Sequence, residues 1–152
     1  MRPALILAVL EREFQSTREG HHTPVMLWGP PGVGKSQMVA QVARKYSVPV
    51  IDIRLSQMEP TDLRGIPFRV GDLVEWAIPA MLPDAQRHGA EGILFLDEIT
   101  SAAPTVSAAA YQLILDRRLG AYQVPAHWAI FAAGNRQGDR GVTYSKIGRA
   151  HV

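Results

Sequence analysis

The chain has 152 residues, of which 47% are hydrophobic and 20% are charged, a balance typical of one globular domain. Its formal net charge is only +2 and its arginines form no run, so the composition favours neither a nucleic acid nor an anionic membrane surface as partner. The absence of cysteine excludes disulfides, thiolate metal sites and thiol nucleophiles, and it is compatible with the cytoplasmic location that we expect.

The hydrophobic pattern of the first third predicts helices and strands in alternation. An amphipathic helix over residues 4–14 and a polar loop over 15–23 precede a short apolar strand, Val25–Trp28. A second amphipathic helix is predicted over 35–46, and the β-branched residues of 48–55 predict the next strand.

The same alternation continues to the third apolar strand. A two-residue turn at Gly71-Asp72 predicts a hairpin over residues 68–76. Buried strands are predicted over 93–96 and 128–133, with a helix over 105–118 between them. Strands separated by helices indicate an α/β fold with a mostly parallel central sheet.

The strongest motif lies between the first strand and the second helix and fits G-x-x-x-x-G-K-[ST] completely. Its glycines let the backbone turn its N–H groups towards an anion, and the following helix directs its positive end there. Lys35 adds a charge for phosphates, and the Ser36 hydroxyl is suited to ligate Mg²⁺. A glycine-rich turn that carries Lys-Ser by chance is the alternative, which the strand before and the helix after disfavour. The motif is Gly29-Pro30-Pro31-Gly32-Val33-Gly34-Lys35-Ser36.

Two adjacent acidic residues, Asp97 and Glu98, follow the strand over 93–96. Ligands of open α/β sheets bind at the carboxyl ends of strands, and paired carboxylates resist burial there without a cation. We therefore expect Asp97 to hold Mg²⁺, in part through water, and Glu98 to activate the attacking water. A solvated strand end or a helix cap is the alternative.

Asn135 follows the third apolar strand and is the last candidate residue. A neutral amide at this edge could orient the water or contact a phosphate, whereas a turn asparagine would give the same pattern.

These three elements in this order resemble the Walker A, Walker B and sensor 1 motifs of the AAA+ ATPases. Residues 52–65, which end in Pro60-x-Asp62-Leu63-x-Gly65, and the Gly134-Asn135-Arg136 segment look most like the MoxR-type branch. The resemblance covers nearly residues 1–145. It implies a three-layer P-loop NTPase fold whose central sheet is mostly parallel.

The resemblance also implies a function. Members of the family form ATP-driven rings, usually hexamers, in which a neighbouring subunit inserts an arginine finger. They remodel or assemble partner proteins, often ones with a von Willebrand factor A domain. The hairpin around Gly71-Asp72 would then face the pore or a partner; an ordinary surface hairpin is the alternative. The cofactors implied are ATP and Mg²⁺. The implied catalytic residues are Lys35, Glu98 and Asn135, the metal ligands are Ser36 and Asp97, and the nucleotide-binding set is Gly29, Pro30, Pro31, Gly32, Val33, Gly34, Lys35, Ser36 and Gln37.

The chain departs from the family after sensor 1. An arginine-finger helix, a fifth sheet strand beside the first, and a helical lid do not fit into the last 17 residues, so we expect strand Val25–Trp28 to be an exposed edge. Residues 147–152 match one reading frame of a common sequencing adapter; we therefore expect residues 1–146 to be a partial nucleotide-binding domain and 147–152 a non-native tail. A real polar tail is the alternative. We expect weak nucleotide binding and little turnover by this chain alone.

Two other functions stay open at this stage. A nucleic-acid motor or loader would use the same motifs, although no basic stripe supports it. A nucleotide-gated scaffold would bind ATP without hydrolysis, which the presence of Glu98 disfavours. Four arginines could act across a subunit interface, although ordinary surface pairing is favoured for each: Arg117, Arg118, Arg136 and Arg140.

Overall fold

The computed structural model describes residues 2–32, 34–136, 138 and 141–147. The helices are α1 (Pro3–Arg18), α2 (Lys35–Tyr46), α3 (Pro60–Arg64), α4 (Ala85–His88) and α5 (Pro104–Asp116). The strands are β1 (Val25–Trp28), β2 (Val50–Arg54), β3 (Ile66–Val70), β4 (Leu73–Ala77), β5 (Glu91–Asp97), β6 (Arg118–Leu119), β7 (Tyr122–Gln123), β8 (His127–Gly134) and β9 (Thr143–Lys146).

A five-stranded sheet in the order β2-β5-β8-β1-β9 forms the centre of the molecule. Its first four strands run parallel, and β9 runs antiparallel to β1. Alternate side chains of the sheet point into two separate cores: one packs against α1 and α2, and the other packs against α5. The predicted α/β fold with three layers and a mostly parallel sheet is therefore confirmed.

The expectations that a fifth sheet strand beside β1 is missing and that β1 is an exposed edge are both wrong. Strand β9 pairs with it along its whole length, from Val25 opposite Lys146 to Trp28 opposite Thr143. The Trp28 indole Nε1 also donates a hydrogen bond to Ser145 Oγ at 2.9 Å. A polar four-residue segment can close the edge because backbone groups make the pairing, and a hydrophobic pattern does not reveal such a strand. Of the predicted tail, Ile147 is described and residues 148–152 lie outside the described residues.

Several element boundaries also differ from the predictions. Helix α1 continues into the predicted polar loop as far as Arg18, because its buried face carries the polar residues Glu13 and Thr17. Thr17 Oγ1 donates to the carbonyl of Glu13 at 3.0 Å, so its hydroxyl is satisfied inside the helix. Helix α5 ends at Asp116, since Arg117 adopts a left-handed conformation with φ of 55°. The short β6–β7 hairpin that follows was not predicted.

The predicted hairpin is confirmed as β3 and β4, which form a sheet of their own. All ten residues of these two strands are exposed. Seven of the eight large hydrophobic side chains that are exposed in the described ranges lie in residues 66–78. Among the helices described, none has the length and apolar character needed to cross a membrane.

Candidate active site

A cleft of about 370 Å³ opens at the carboxyl ends of β1, β5 and β8. Because the three strands are parallel and adjacent, the loops that leave them meet at this edge of the sheet. We call it the loop cleft. It is lined by Pro31, Gly32, Gly34, Lys35, Ser36, Gln37, Arg54, Ser56, Asp97, Glu98, Ser101, Gly134 and Asn135.

The loop between β1 and α2 forms one wall of the loop cleft. Gly32 and Gly34 have φ values of 79° and 85°, a region that side-chain-bearing residues rarely adopt. Gly34 is the N-cap of the 12-residue helix α2 and has no side chain, so the N-cap residue offers the first turn of the helix no side-chain acceptor at the edge of the cleft. An anion in the cleft would supply that acceptor. Val33 of the motif lies outside the described residues.

Lys35 brings a positive charge to the centre of this loop. Its side chain is buried, with only 9% of the residue exposed. The ammonium donates to the carbonyl oxygens of Gly29 and Pro30 and, at 3.0 Å, to Asn135 Oδ1. These acceptors compensate the burial of the ammonium. Lys35 therefore lies where its charge can meet an anion cradled by the loop.

Asp97 is the last residue of β5 and is half-buried. Its Oδ1 accepts a hydrogen bond from the main-chain N–H of Glu98 at 2.8 Å. Burial raises the pKa of the Asp97 carboxyl, and the charge of Glu98 adds to this effect, while the Glu98 N–H and the charge of Lys35 oppose it. The surrounding residues therefore do not fully compensate the negative charge of this carboxylate, and a cation bound beside it would be favourable.

Glu98 is held by two residues that the sequence analysis missed. The Ser56 hydroxyl donates to Glu98 Oε2, and Arg54 Nε lies 3.8 Å from Glu98 Oε1. Arg54 ends β2 directly opposite Asp97 in the parallel pairing with β5, so the sheet register brings it to the cleft. No local motif marks Arg54 or Ser56. These two residues could have been identified only from the register of β2 against β5.

Asn135 lies directly after β8, and its position depends on the turn that follows Glu98. The Thr100 hydroxyl accepts a hydrogen bond from the main-chain N–H of Asn135 at 3.0 Å. The residue before it, Gly134, accepts the main-chain N–H of Gly29 at 3.1 Å, which ties the start of the glycine loop to the end of β8. Thr100 is a further residue that the sequence analysis missed.

The four candidate arginines have different surroundings. Arg117 is half-buried and donates through Nη2 to the carbonyls of Pro125 and Trp128, each at 2.8 Å. Burial lowers its pKa to about 10. Arg117 therefore binds its own chain, which does not suit a role across an interface. The guanidinium of Arg136 stacks over the Trp28 ring at 4.6 Å. Arg118 is exposed, and Arg140 lies outside the described residues.

Within the described ranges, no group of three or more histidine or acidic side chains is placed to hold a metal ion. The two predicted metal ligands, Ser36 and Asp97, both line the loop cleft. Two protein ligands suit Mg²⁺, which commonly takes the rest of its coordination from phosphate oxygens and water.

Comparison with known proteins identifies the family. A family model described as "AAA domain (dynein-related subfamily)" matches residues 24–146. The chain belongs to this AAA domain family. This AAA domain is 33% identical over 113 residues to the denitrification regulatory protein NirQ of Pseudomonas aeruginosa. The aligned residues cover 74% of this chain and 40% of NirQ. The predicted membership of the AAA+ ATPases, in their MoxR-like branch, is thereby confirmed.

Solved structures confirm the fold of the AAA domain. NtrX from Brucella abortus, crystallised with ADP, superposes with a TM-score of 0.55 at 18% identity, covering 86% of this chain and 28% of NtrX. A mutant RuvB from Thermotoga maritima gives a TM-score of 0.54 at 18% identity, covering 86% of this chain and 39% of RuvB. The AAA domain thus spans less than half the length of each relative, and its fold is shared with both structures.

Proposed function

We propose that this AAA domain binds Mg·ATP in the loop cleft and is the nucleotide-hydrolysing core of a larger ATPase. One observation carries the proposal: the buried ammonium of Lys35, the half-buried carboxyl of Asp97 and the amide of Asn135 meet in one cleft at the mouth of the glycine loop. An uncapped helix and an ammonium suit phosphates, and a carboxyl with a raised pKa suits a cation.

The residues of the loop cleft fit both the phosphates of ATP and the Mg²⁺ ion. The cleft volume of about 370 Å³ lies within the range usual for small-molecule sites. The main-chain N–H groups of the glycine loop, up to Gln37, would cradle the phosphates, and Lys35 would bind the β- and γ-phosphates. The Ser36 hydroxyl and the Asp97 carboxylate would hold Mg²⁺, whose role is to neutralise phosphate charge. Adenine as the base rests on the family resemblance.

Glu98 and Asn135 would act on the attacking water. Glu98 is the candidate base or orienting group, and Asn135 would fix the water or the γ-phosphate through its amide. In the structure Glu98 accepts a hydrogen bond from the Ser56 hydroxyl and lies beside Arg54. Its side chain must leave Ser56 before it can reach a water in the cleft.

We further propose that the larger protein forms a ring, most simply a hexamer, that remodels a protein partner. The exposed β3–β4 hairpin is the surface suited to such contact, because solvated strands seldom carry so many large apolar groups. A protein with a von Willebrand factor A domain is the partner class that the family resemblance suggests. The apolar side chains of this surface are Ile66, Phe68, Val70, Leu73, Val74, Trp76 and Ile78, which are 44% to 68% exposed.

Two substitutions in the loop cleft test the proposal together. Lys35→Met keeps the length of the side chain and removes its charge, so it should weaken the binding of Mg·ATP at least tenfold, as measured by equilibrium dialysis. Glu98→Gln should retain that binding and lose the phosphate release that the wild type shows in a single turnover. Binding with no phosphate release, even by the assembled ring of the full-length parent, would instead indicate a nucleotide-gated scaffold. Equal ATP affinity of the wild type and Lys35→Met would refute the proposed site.

A further inference from the structure

The contact between Lys35 and Asn135 joins two residues that hydrolysis would use separately. Lys35 Nζ donates to Asn135 Oδ1 at 3.0 Å, across 100 positions of sequence. A bound triphosphate would need this ammonium as its own partner, and Asn135 would be needed at the far end of the phosphate chain. In the structure the Asn135 amide oxygen is one of the acceptors around the Lys35 ammonium, together with the carbonyls of Gly29 and Pro30.

Main-chain hydrogen bonds at the end of β8 fix the positions of the glycine loop and of Asn135. Gly29 begins the glycine loop and donates its N–H to the carbonyl of Gly134, the residue before Asn135. Thr100 fixes the main chain of Asn135 from the other side. Asn135 is therefore held at a set distance from the loop, where its amide oxygen is a ready acceptor for the Lys35 ammonium.

We propose that Asn135 is a positioning residue for Lys35 before nucleotide binds. Its amide holds the ammonium at the glycine loop, and a bound phosphate would compete with Asn135 for that ammonium. The release of Lys35 then frees the Asn135 amide for the γ-phosphate or the water. This inference rests on the proposed function, because it requires phosphates in the loop cleft, and it adds a role for Asn135 that precedes hydrolysis.

ADP separates this role from a direct contact with the γ-phosphate, which ADP lacks. A net hydrogen bond in a protein changes an equilibrium by about twofold to tenfold. Asn135→Ala and Asn135→Leu both remove the acceptor, and Leu keeps most of the volume. Both variants should bind Mg·ADP about twofold to tenfold more tightly than the wild type, with faster association of a fluorescent ADP in stopped flow. The exposed amide of Gln112 on α5 provides the matched control, and Gln112→Ala should bind like the wild type.

The outcomes distinguish this inference from the proposed function. If the wild type binds Mg·ADP and both Asn135 variants bind it equally or more weakly, the positioning role is refuted and the nucleotide site stands. Weaker ATP binding together with unchanged ADP binding would also refute it, since that pattern is expected of a γ-phosphate contact alone. If the wild type binds neither nucleotide, the proposed function fails and the positioning role fails with it.

Discussion

Replacing Asp97 with asparagine should make the nucleotide-free protein more stable. Burial and the charge of Glu98 raise the pKa of the Asp97 carboxyl. The carboxyl of Asp52 on β2 also has a raised pKa, through burial and through the charge of Asp97. Asparagine has the same shape, and its Oδ1 can still accept the Glu98 N–H. The substitution thus removes an unfavourable charge and retains the hydrogen bond.

The sign of this effect follows from the raised pKa of Asp97. A carboxyl whose pKa is higher in the folded state than in the unfolded state destabilises the fold when it is ionised; this cost is absent below the unfolded pKa and complete above the folded pKa. Electrostatic interactions of partly exposed groups contribute about 0.2–1 kcal/mol, and we expect the gain in the free energy of unfolding to lie in this range. For a chain of this size the expected rise in Tm is about 1–4 °C at neutral pH.

Thermal unfolding at several pH values, followed by circular dichroism, measures this prediction. The gain of Asp97→Asn over the wild type should be largest near neutral pH and should shrink as the pH falls through the raised pKa. Adding Mg·ADP should reverse the ranking, because the variant lacks a metal ligand.

Asp84→Asn is the matched control. Asp84 caps α4 through the N–H groups of Gln86 and Arg87, and the hydrogen bond from Arg87 is the main cause that lowers its pKa. Its charge is therefore favourable to folding, and the substitution should give no rise in Tm. A fall in Tm for Asp97→Asn at neutral pH, or a rise that does not depend on pH, would refute the reasoning about Asp97.

The remaining predictions concern the fold around the site. Arg117→Met should lower the free energy of unfolding by about 1–3 kcal/mol, because it removes two charge-assisted hydrogen bonds to main-chain carbonyls, although the Pro125 carbonyl keeps its bond from the Trp128 N–H; urea unfolding measures this. Arg118→Met at an exposed position is its control, and unchanged stability of Arg117→Met would show that the two hydrogen bonds contribute little. Gly65→Ala should loosen the β3–β4 hairpin, because φ is +84° and the new Cβ would lie 2.0 Å from the Ala77 carbonyl oxygen. Faster proteolysis within residues 66–78 is expected, and an unchanged rate would contradict it.

Local signals predicted the main parts of the candidate site. The glycine loop, the strand before it and helix α2 are encoded by neighbouring residues, and α2 begins and ends where the periodicity predicts. The position of Asp97 also follows from a local pattern, since an apolar run ends there. Parallel packing then brings these ends together for a general physical reason.

The features that were missed depend on contacts distant in sequence. Ser56 reaches Glu98 across 42 positions through the register of β2 against β5, and no spacing rule in the sequence encodes that register. Strand β9 is polar, so its pairing with β1 leaves no hydrophobic pattern. Arginine is typical of protein surfaces, yet Arg117 has a left-handed backbone and its guanidinium donates to carbonyls of its own chain.

A calorimetric titration of Mg·ADP into the wild-type chain and into Lys35→Met examines the nucleotide site most directly. The loss of a charge-assisted contact with phosphate corresponds to about 1.5–3 kcal/mol, or about a 10- to 150-fold weaker Kd. The wild type should release heat and saturate at one ADP per chain, with Lys35→Met at least tenfold weaker and the wild-type signal dependent on Mg²⁺. Equal heats from both proteins, or no binding to a folded wild type, would contradict a phosphate site at this loop.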